Sequence, residues 1–393
     1  MHKSLETTGL RRIVTQATMI YFDHNATTPL HPAAREAWLA ANETLIGNPS
    51  SPHRVGARAD AALSAARQKL AAILGCDALD IVWTSGATES NNAVLTHAAR
   101  TLASDAEIWV SAIEHPSVLA PARHHFGERL RLMPVTRAGV LDLDWLETEL
   151  KKRRPGLVAL MAANNETGAL QPWSEALALC RSRGVTFFCD AVQWIGKLPS
   201  RGLGACDFIS GSAHKFGGPK GVGFLKCPAK GRVEPLLLGG PQEEGRRAGT
   251  ENVPGVLALL AALEAREAAM TAMVPLENWR SDFERTLLAA LPSVEIVGAT
   301  VPRLWNTVMA LMPEADCQQR WVVKLDKAGI AVSTGSACAS GKEAPSHVLG
   351  AMGYSPAEAA RALRFSSSPE TSASDWDGLL GALKRVAADV AKG

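Results

Sequence analysis

Asp190 and Lys215 are the residues of this chain with the clearest chemical potential. Asp190 directly follows the apolar run Val185–Cys189, and Lys215 comes twenty-five residues later within SAHKFGGPKG. A carboxylate at a strand end can pair with a ring nitrogen and keep it protonated, and a lysine can form a Schiff base with an aldehyde. A third feature, SGATES from Ser85, places small residues and hydroxyls where a run turns towards helical sequence. Free backbone N–H groups and the positive helix end there suit a phosphate, although a plain N-cap has the same letters. No GxxxxGK[ST] occurs, and no GxGxxG follows a strand, so nucleotide P-loops and dinucleotide fingerprints are excluded. A phosphate cradle, an acid for a pyridinium nitrogen and a lysine for an aldimine are the parts that pyridoxal 5'-phosphate (PLP) requires.

These residues need elements to hold them. Short apolar runs, Ile81–Thr84, Ile108–Ala112, Leu157–Ala162, Val185–Cys189, Phe208–Ser210 and Val222–Leu225, alternate with helical patterns. From Gly56 to Leu74 the residues Ala59, Ala62, Leu63, Ala66, Leu70, Ile73 and Leu74 share one face, and Gly75 follows as a C-cap. Runs that are apolar throughout predict a mainly parallel sheet covered on both faces, an α/β fold. Five of them lead into polar groups: Ser85–Thr88, His115, Asn164 with Asn165, Asp190 with Gln193, and Ser212 with His214 and Lys215. Open α/β sheets bind ligands beyond the carboxyl ends of their strands. Any one such residue is most simply a loop cap, but five together describe a site.

Composition narrows the classes. Of 393 residues, 47% are apolar and 20% charged, a globular balance that excludes a disordered or fibrous chain. Lys plus Arg number 41 against 39 Asp plus Glu, which leaves no basic field for nucleic acid. Seven Cys are present, and the closest two, Cys180 and Cys189, are nine apart with no CxxC pair. A zinc site or a secreted disulfide framework is not expected, and a reducing cytoplasm is. The apolar stretch from Val253 contains Pro254 and Gly255 and stops at Glu264, short of the roughly 20 residues of a membrane span. The first twenty residues read as an extension, without the apolar core of a secretory signal. No metal-ligand spacing occurs, and the ten scattered Trp read as packing residues.

Ten segments together resemble the cysteine desulfurases of the NifS/IscS-like branch, within the class V aminotransferase group of fold-type I PLP enzymes. They begin with YFDHNATTP (Tyr21–Pro29), GNPSSPH (Gly47–His53), TSGATESNN (Thr84–Asn92), EHPSV (Glu114–Val118) and NNETGALQP (Asn164–Pro172). They continue with DAVQ (Asp190–Gln193), SGSAHKFGGPKG (Ser210–Gly221), RAGTEN (Arg247–Asn252), STGSACAS (Ser333–Ser340) and LRFS (Leu363–Ser366). The chain departs from the usual pattern in DAVQ, in LGGPQE (Leu238–Glu243) and in FSSSPET after Arg364, none of which removes a reacting group.

The resemblance implies a large PLP-binding domain over residues 27–268. A smaller α+β domain of residues 1–26 and 269–393 would carry the Cys338 loop. It implies that Lys215 holds the cofactor as an aldimine, Asp190 binds the pyridine nitrogen, and His115 stacks on the ring and moves protons. Asn165 and Gln193 would contact the ring and its phenolic oxygen. Ala87, Thr88, Ser212 and His214 would hold the phosphate, and Thr250 would reach the phosphate site of the other subunit in a homodimer. Arg364 would bind the carboxylate of L-cysteine, with Asn25 nearby. Cys338 would attack the substrate sulfur, leaving alanine and a persulfide for a sulfur-acceptor protein in iron–sulfur cluster or thio-cofactor biosynthesis. Other implied readings are a selenocysteine lyase or another class V enzyme, and, more remotely, a binding protein that keeps the fold. Cys338 lies among Ser, Thr, Gly and Ala from Ser333 to Ser340. That composition has little to bury, unlike the apolar surroundings of Cys180 and Cys189.

Overall fold

The computed structural model describes residues 19–229, 233–270, 276–314, 318–334 and 345–390. Its strands are β1 (Ile20–Tyr21), β2 (Ile81–Thr84), β3 (Ile108–Ser111), β4 (Leu130–Met133), β5 (Leu157–Ala159) and β6 (Thr186–Asp190). There follow β7 (Phe208–Ser212), β8 (Gly223–Lys226), β9 (Glu295–Ile296), β10 (Thr307–Leu311), β11 (Ile330–Ala331) and β12 (Ala362–Ser366). The helices up to residue 269 are α1 (Pro32–Thr44), α2 (Arg54–Leu74), α3 (Ala87–Thr101), α4 (Pro116–Phe126), α5 (Leu143–Lys152), α6 (Trp173–Ser182) and α7 (Val253–Ala269). After them come α8 (Leu276–Ala290), α9 (Gln318–Lys327), α10 (His347–Ala351), α11 (Pro356–Ala359) and α12 (Ala373–Val390).

The main sheet has the order β2-β8-β7-β6-β5-β3-β4. Its strands are apolar throughout because successive side chains enter opposite cores. Trp109, Val158, Phe187, Ile209 and Phe224 join one core with α1, α2, α5, α6 and α7. Their neighbours Val110, Leu157, Phe188, Phe208 and Leu225 join the other with α3 and α4. The expected double coverage is therefore present. α2 shows the local logic: His53 Nδ1 accepts from the N–H of Gly56, and the helix stops at Gly75 in the left-handed region.

Two features depart from the sequence reading. β8 runs antiparallel to both β2 and β7. Residues 213–222 are too few for the crossover of roughly a dozen or more residues that a parallel return needs. β4 was not anticipated, because on this edge only Met133 is buried and Arg131 interrupts LRLM, so it is not an apolar run. Reversing β8 leaves β2 and β7 pointing the same way. The carboxyl ends of β2, β3, β5, β6 and β7 therefore lie along one edge of the sheet.

A second, antiparallel sheet has the order β12-β10-β9, and β1 pairs in parallel with β11. Phe22, Phe283, Trp321, Phe365 and Trp376 form its core with α8, α9 and α12. A further cluster of Ile113, Met161, Met309, Leu311, Leu349 and Met352 joins this region to the main sheet. Among the described residues no helix is long and apolar enough to cross a membrane.

Gly223 marks the tightest backbone approach near the strand ends. A Cβ there would lie 2.5 Å from the carbonyl oxygen of Gly211 and 2.6 Å from Cα of Gly86. Both are backbone atoms and cannot rotate away. Gly223→Ala is expected to lower stability by about 1–3 kcal/mol and to displace the turn before α3. Thermal unfolding together with cofactor affinity measures both effects, and an unchanged pair of values would contradict this account of the packing.

Candidate active site

Beyond the strand ends lies a cavity of about 530 Å³, within the range of small-ligand sites. Asn25, Ala87, Thr88, His115, Asn165, Asp190, Gln193, Ser212, His214, Lys215 and Arg364 all line it. Sequence reasoning named each of them, and the fold brings them to one place. Thr250 is exposed and does not line the cavity of its own chain. Cys338 lies outside the described residues.

Lys215 sits in the short turn after β7. Its Nζ donates to the carbonyls of Asn25 at 2.7 Å and Ala26 at 2.8 Å. Residues 25–28 are held there because both the N–H and the hydroxyl of Thr28 donate to the His214 carbonyl at 2.9 Å. Burial, and then the Arg364 guanidinium, push the Lys215 amine down to about 8. Asp190 and Asp23 oppose the shift. Such an amine reaches its neutral, nucleophilic form near physiological pH.

Asp190 ends β6. Its Oδ1 accepts from the N–H of Val192 at 3.0 Å and its Oδ2 from Asn91 Nδ2 at 2.9 Å. Asn91 also donates to Ser117 Oγ at 2.8 Å, and that hydroxyl bonds His115 Nδ1 at 2.8 Å. A carboxylate can only accept, so Asn91 faces it with N–H and Ser117 is left to donate to His115. Nδ1 also accepts the N–H of Ser117 at 3.1 Å, which places His115 as the N-cap of α4. Burial, with Lys215 and His347, holds the His115 imidazole below its usual value. The neutral ring thus carries its proton on Nε2.

The cradle before α3 opens at Gly86, with φ +151° and no side-chain cap. The first-turn N–H groups of a fifteen-residue helix point to an anion there. Thr88, Ser212, His214 and Lys220 surround it. His214 is driven down to about 4, by burial first and then by Lys215 and Lys220. It is therefore neutral and supplies a hydrogen bond without charge. Anion cradle, buried amine and buried carboxylate fit PLP in kind and in placement.

Arg364 is 2% exposed on β12. It donates to Asp23 Oδ1 at 2.6 Å and to the carbonyl of Asn165 at 2.9 Å, while its buried Nε has no partner. Arg364 lines the cavity, and a guanidinium there is suited to a carboxylate. Asn25 lines the same cavity. Its Oδ1 accepts from Lys197 at 2.8 Å and Asn306 at 3.1 Å. Its Nδ2 donates to Thr307 Oγ1 at 2.9 Å and the Asn165 carbonyl at 3.2 Å. A side-chain amide has four such capacities and all are filled, so Asn25 organises the site and has nothing left for substrate.

Both described flanks of residues 335–344 attach beside the cavity. Ser333 exchanges backbone hydrogen bonds with Arg364. Ser346 Oγ bonds Glu166 Oε2 at 2.5 Å, and His347 Nε2 lies 2.8 Å from the Glu114 carbonyl.

Sequence reasoning missed Asp23, Asn91, Ser117 and Lys197 as parts of the site. Asp23, Asn91 and Ser117 stand inside segments already singled out, but nothing local separates them from loop polar residues. Apart from the local contact of Ser117 with His115, the partners that place them in the site are 26 to 341 positions away in the chain.

A mainly parallel sheet whose strand ends gather a lysine, a carboxylate and an anion cradle is the frame of a fold-type I PLP-dependent transferase. The chain belongs to the aminotransferase class-V family, whose pattern matches residues 20–379. It is 41% identical over 372 residues to a cysteine desulfurase of Klebsiella pneumoniae, covering 93% of this chain and 92% of that one. A NifS-like protein from Rickettsia africae superposes with a TM-score of 0.85 at 30% identity, covering 94% of this chain and 99% of that one. SspA, solved in complex with cysteine, gives 0.75 at 28% identity over 89% of this chain and 99% of its own.

Proposed function

We infer that this chain is a PLP-dependent cysteine desulfurase, which takes sulfur from L-cysteine and releases L-alanine. The observation that carries the reading is the convergence of Lys215, Asp190 and Arg364 on one cavity. Bound there, PLP supplies an electrophilic carbon for the substrate amine and a protonated ring that accepts electron density. Lys215 would hold the cofactor and, when released, move a proton at its Nζ. Asp190, fixed by Asn91 and Val192, would keep the ring nitrogen protonated. His115 would stack on the ring and exchange a proton at Nε2, its other nitrogen being occupied by Ser117. Ala87, Thr88, Ser212 and His214 would hold the phosphate, and Asn165 and Gln193 would contact the ring and its phenolic oxygen.

Arg364 would hold the substrate carboxylate, with Asp23 fixing the plane of the guanidinium. Cys338 would then take the sulfur atom: a S–S bond forms, the C–S bond of cysteine breaks, and the carbon fragment gains a proton to become alanine. The persulfide passes to a sulfur-acceptor protein. Thr250, exposed on its own chain, would complete the phosphate site of a partner subunit in a homodimer. We read residues 27–268 as the cofactor-binding unit and the remainder, with β1 paired to β11, as the smaller unit. Equal amounts of alanine and transferable sulfur from purified protein and L-cysteine are the expected result. No alanine from a yellow, cofactor-loaded protein would sink the reading, and preference for selenocysteine in competition would favour a selenocysteine lyase.

The carboxylate assignment has its own test. Arg364→Ala removes a charge-assisted pair, so the Kd for cysteine in a spectral titration is expected to rise roughly 10²-fold while the cofactor is still taken up. An unchanged Kd would move the carboxylate elsewhere.

A further inference from the structure

Lys197 is 6% exposed, and its Nζ reaches two amide oxygens, Asn25 Oδ1 at 2.8 Å and Gln193 Oε1. Six other lysines and arginines among the described residues are buried to 8% exposure or less: Lys226, Arg246, Arg266, Arg280, Arg303 and Arg364. Each of those has a carboxylate within 4.0 Å. Lys197, among the described residues, has none, so ion pairing does not account for its place. It lies instead directly behind the cavity, between two residues that line it.

The chemistry of the contact is directional. An amine next to a primary amide selects the oxygen end, because a lysine head group is a donor. With Oε1 turned to Lys197, Gln193 keeps only its Nε2 for the cavity side. One N–H of that nitrogen goes to the Asn25 carbonyl at 3.0 Å, which leaves one N–H to give. The same amine holds the side-chain oxygen of Asn25, whose backbone carbonyl receives Lys215 at 2.7 Å. One buried amine thereby orients two side-chain amides, those of Asn25 and Gln193, at the wall of the cavity. We propose that Lys197 is a positioning residue whose amine turns Gln193 so that only an N–H donor faces the phenolic oxygen of the cofactor. The proposal rests on the reading that PLP occupies this cavity with that oxygen beside Gln193. Burial, followed by Lys215 and Arg364, pushes the Lys197 amine well below its ordinary value. Both of its contacts end on amide oxygens, so the amine acts as a donor to each.

A donor to the phenolic oxygen stabilises the oxygen's negative charge and makes the cofactor's imine nitrogen easier to deprotonate. The visible absorbance of the loaded enzyme, followed against pH, reports that midpoint. In Lys197→Met, Gln193 is free to turn its oxygen inward. The midpoint is expected to rise by about one pH unit, the worth of a hydrogen bond to a charged group. Gln193→Leu removes the donor directly and is expected to rise as far. Lys197→Arg, which can only donate, is expected to stay at the parent value. The groups around the cofactor, Asp190, His115, His214, Lys215, Lys220 and Arg364, with Glu89 paired to Arg247, are unchanged in all three variants.

A merely structural lysine would alter melting temperature and leave the midpoint in place. A folded, loaded Lys197→Met protein within about 0.2 unit of the parent overturns the proposal. So does an unmoved midpoint in Gln193→Leu, which would assign any shift in Lys197→Met to lost charge. Where Lys197→Met does not fold, Lys197→Arg decides: the parent midpoint supports the proposal and the Gln193→Leu midpoint overturns it. If borohydride fixes no cofactor to Lys215 in the parent protein, the reading of the cavity itself fails, and the inference with it.

Discussion

Lys215→Ala is expected to leave a folded protein that borohydride cannot link to PLP and that forms no alanine above background. The lysine carries two duties on one Nζ, the covalent hold and a proton transfer, and the transfer alone is worth about 10²–10⁴-fold. The site also predicts how the parent behaves with pH. Only the neutral amine captures an aldehyde, and the Lys215 amine lies at about 8. Roughly one molecule in ten is therefore ready at pH 7, against fewer than roughly one in a thousand for an ordinary lysine. Uptake of PLP by the apo-protein should rise with pH and level off above about 8. A rate still climbing at pH 10 would mean that burial and Arg364 do not depress this amine, and retained covalent labelling in Lys215→Ala would move the attachment point to another lysine.

Cys338→Ser is expected to separate cofactor chemistry from sulfur transfer. The substitution nearly preserves size but exchanges a thiol, a few per cent ionised at neutral pH, for a hydroxyl that is almost wholly protonated. The residues that line the cavity are untouched, so PLP binding and the spectral response to L-cysteine should match the parent. Attack on the substrate sulfur needs the thiolate, so protein-bound persulfide and alanine should both fall to background. Of the described flanks, Ser333 is tied to Arg364 and Ser346 to Glu166. Four of the described cysteines are poor nucleophiles: burial drives Cys180 up to about 12, Cys76 and Cys227 to about 11, and Cys189 well above its usual value. Alanine formed at the parent rate by Cys338→Ser would require another thiol, and the persulfide reading of this segment would fall.

The sequence by itself determined the local parts. Runs such as Phe187–Cys189 are apolar at every position because both faces of their sheet are covered, and α2 begins at His53 and ends at Gly75 for reasons confined to a few neighbouring residues. The identities of the reacting groups were equally legible, since an aldehyde, a ring nitrogen and a phosphate each call for one kind of side chain. Strand order was not legible, and the antiparallel β8 that places the end of β2 beside the end of β7 follows from a short connection and its pairing partners. The supporting residues were hidden for the same reason. Asn91 becomes the link between Asp190 and His115, and Lys197 the support behind Gln193, only when α3, β6 and the turn after it are packed together. Asn25 shows the limit in a single residue: the resemblance set it near the substrate carboxylate, and only tertiary packing revealed that Lys197, Asn306, Thr307 and the Asn165 carbonyl fill the hydrogen bonding of its amide. A reacting group is recognised by its own chemistry, whereas a positioning group is defined by its partners, and those partners are brought together by tertiary structure.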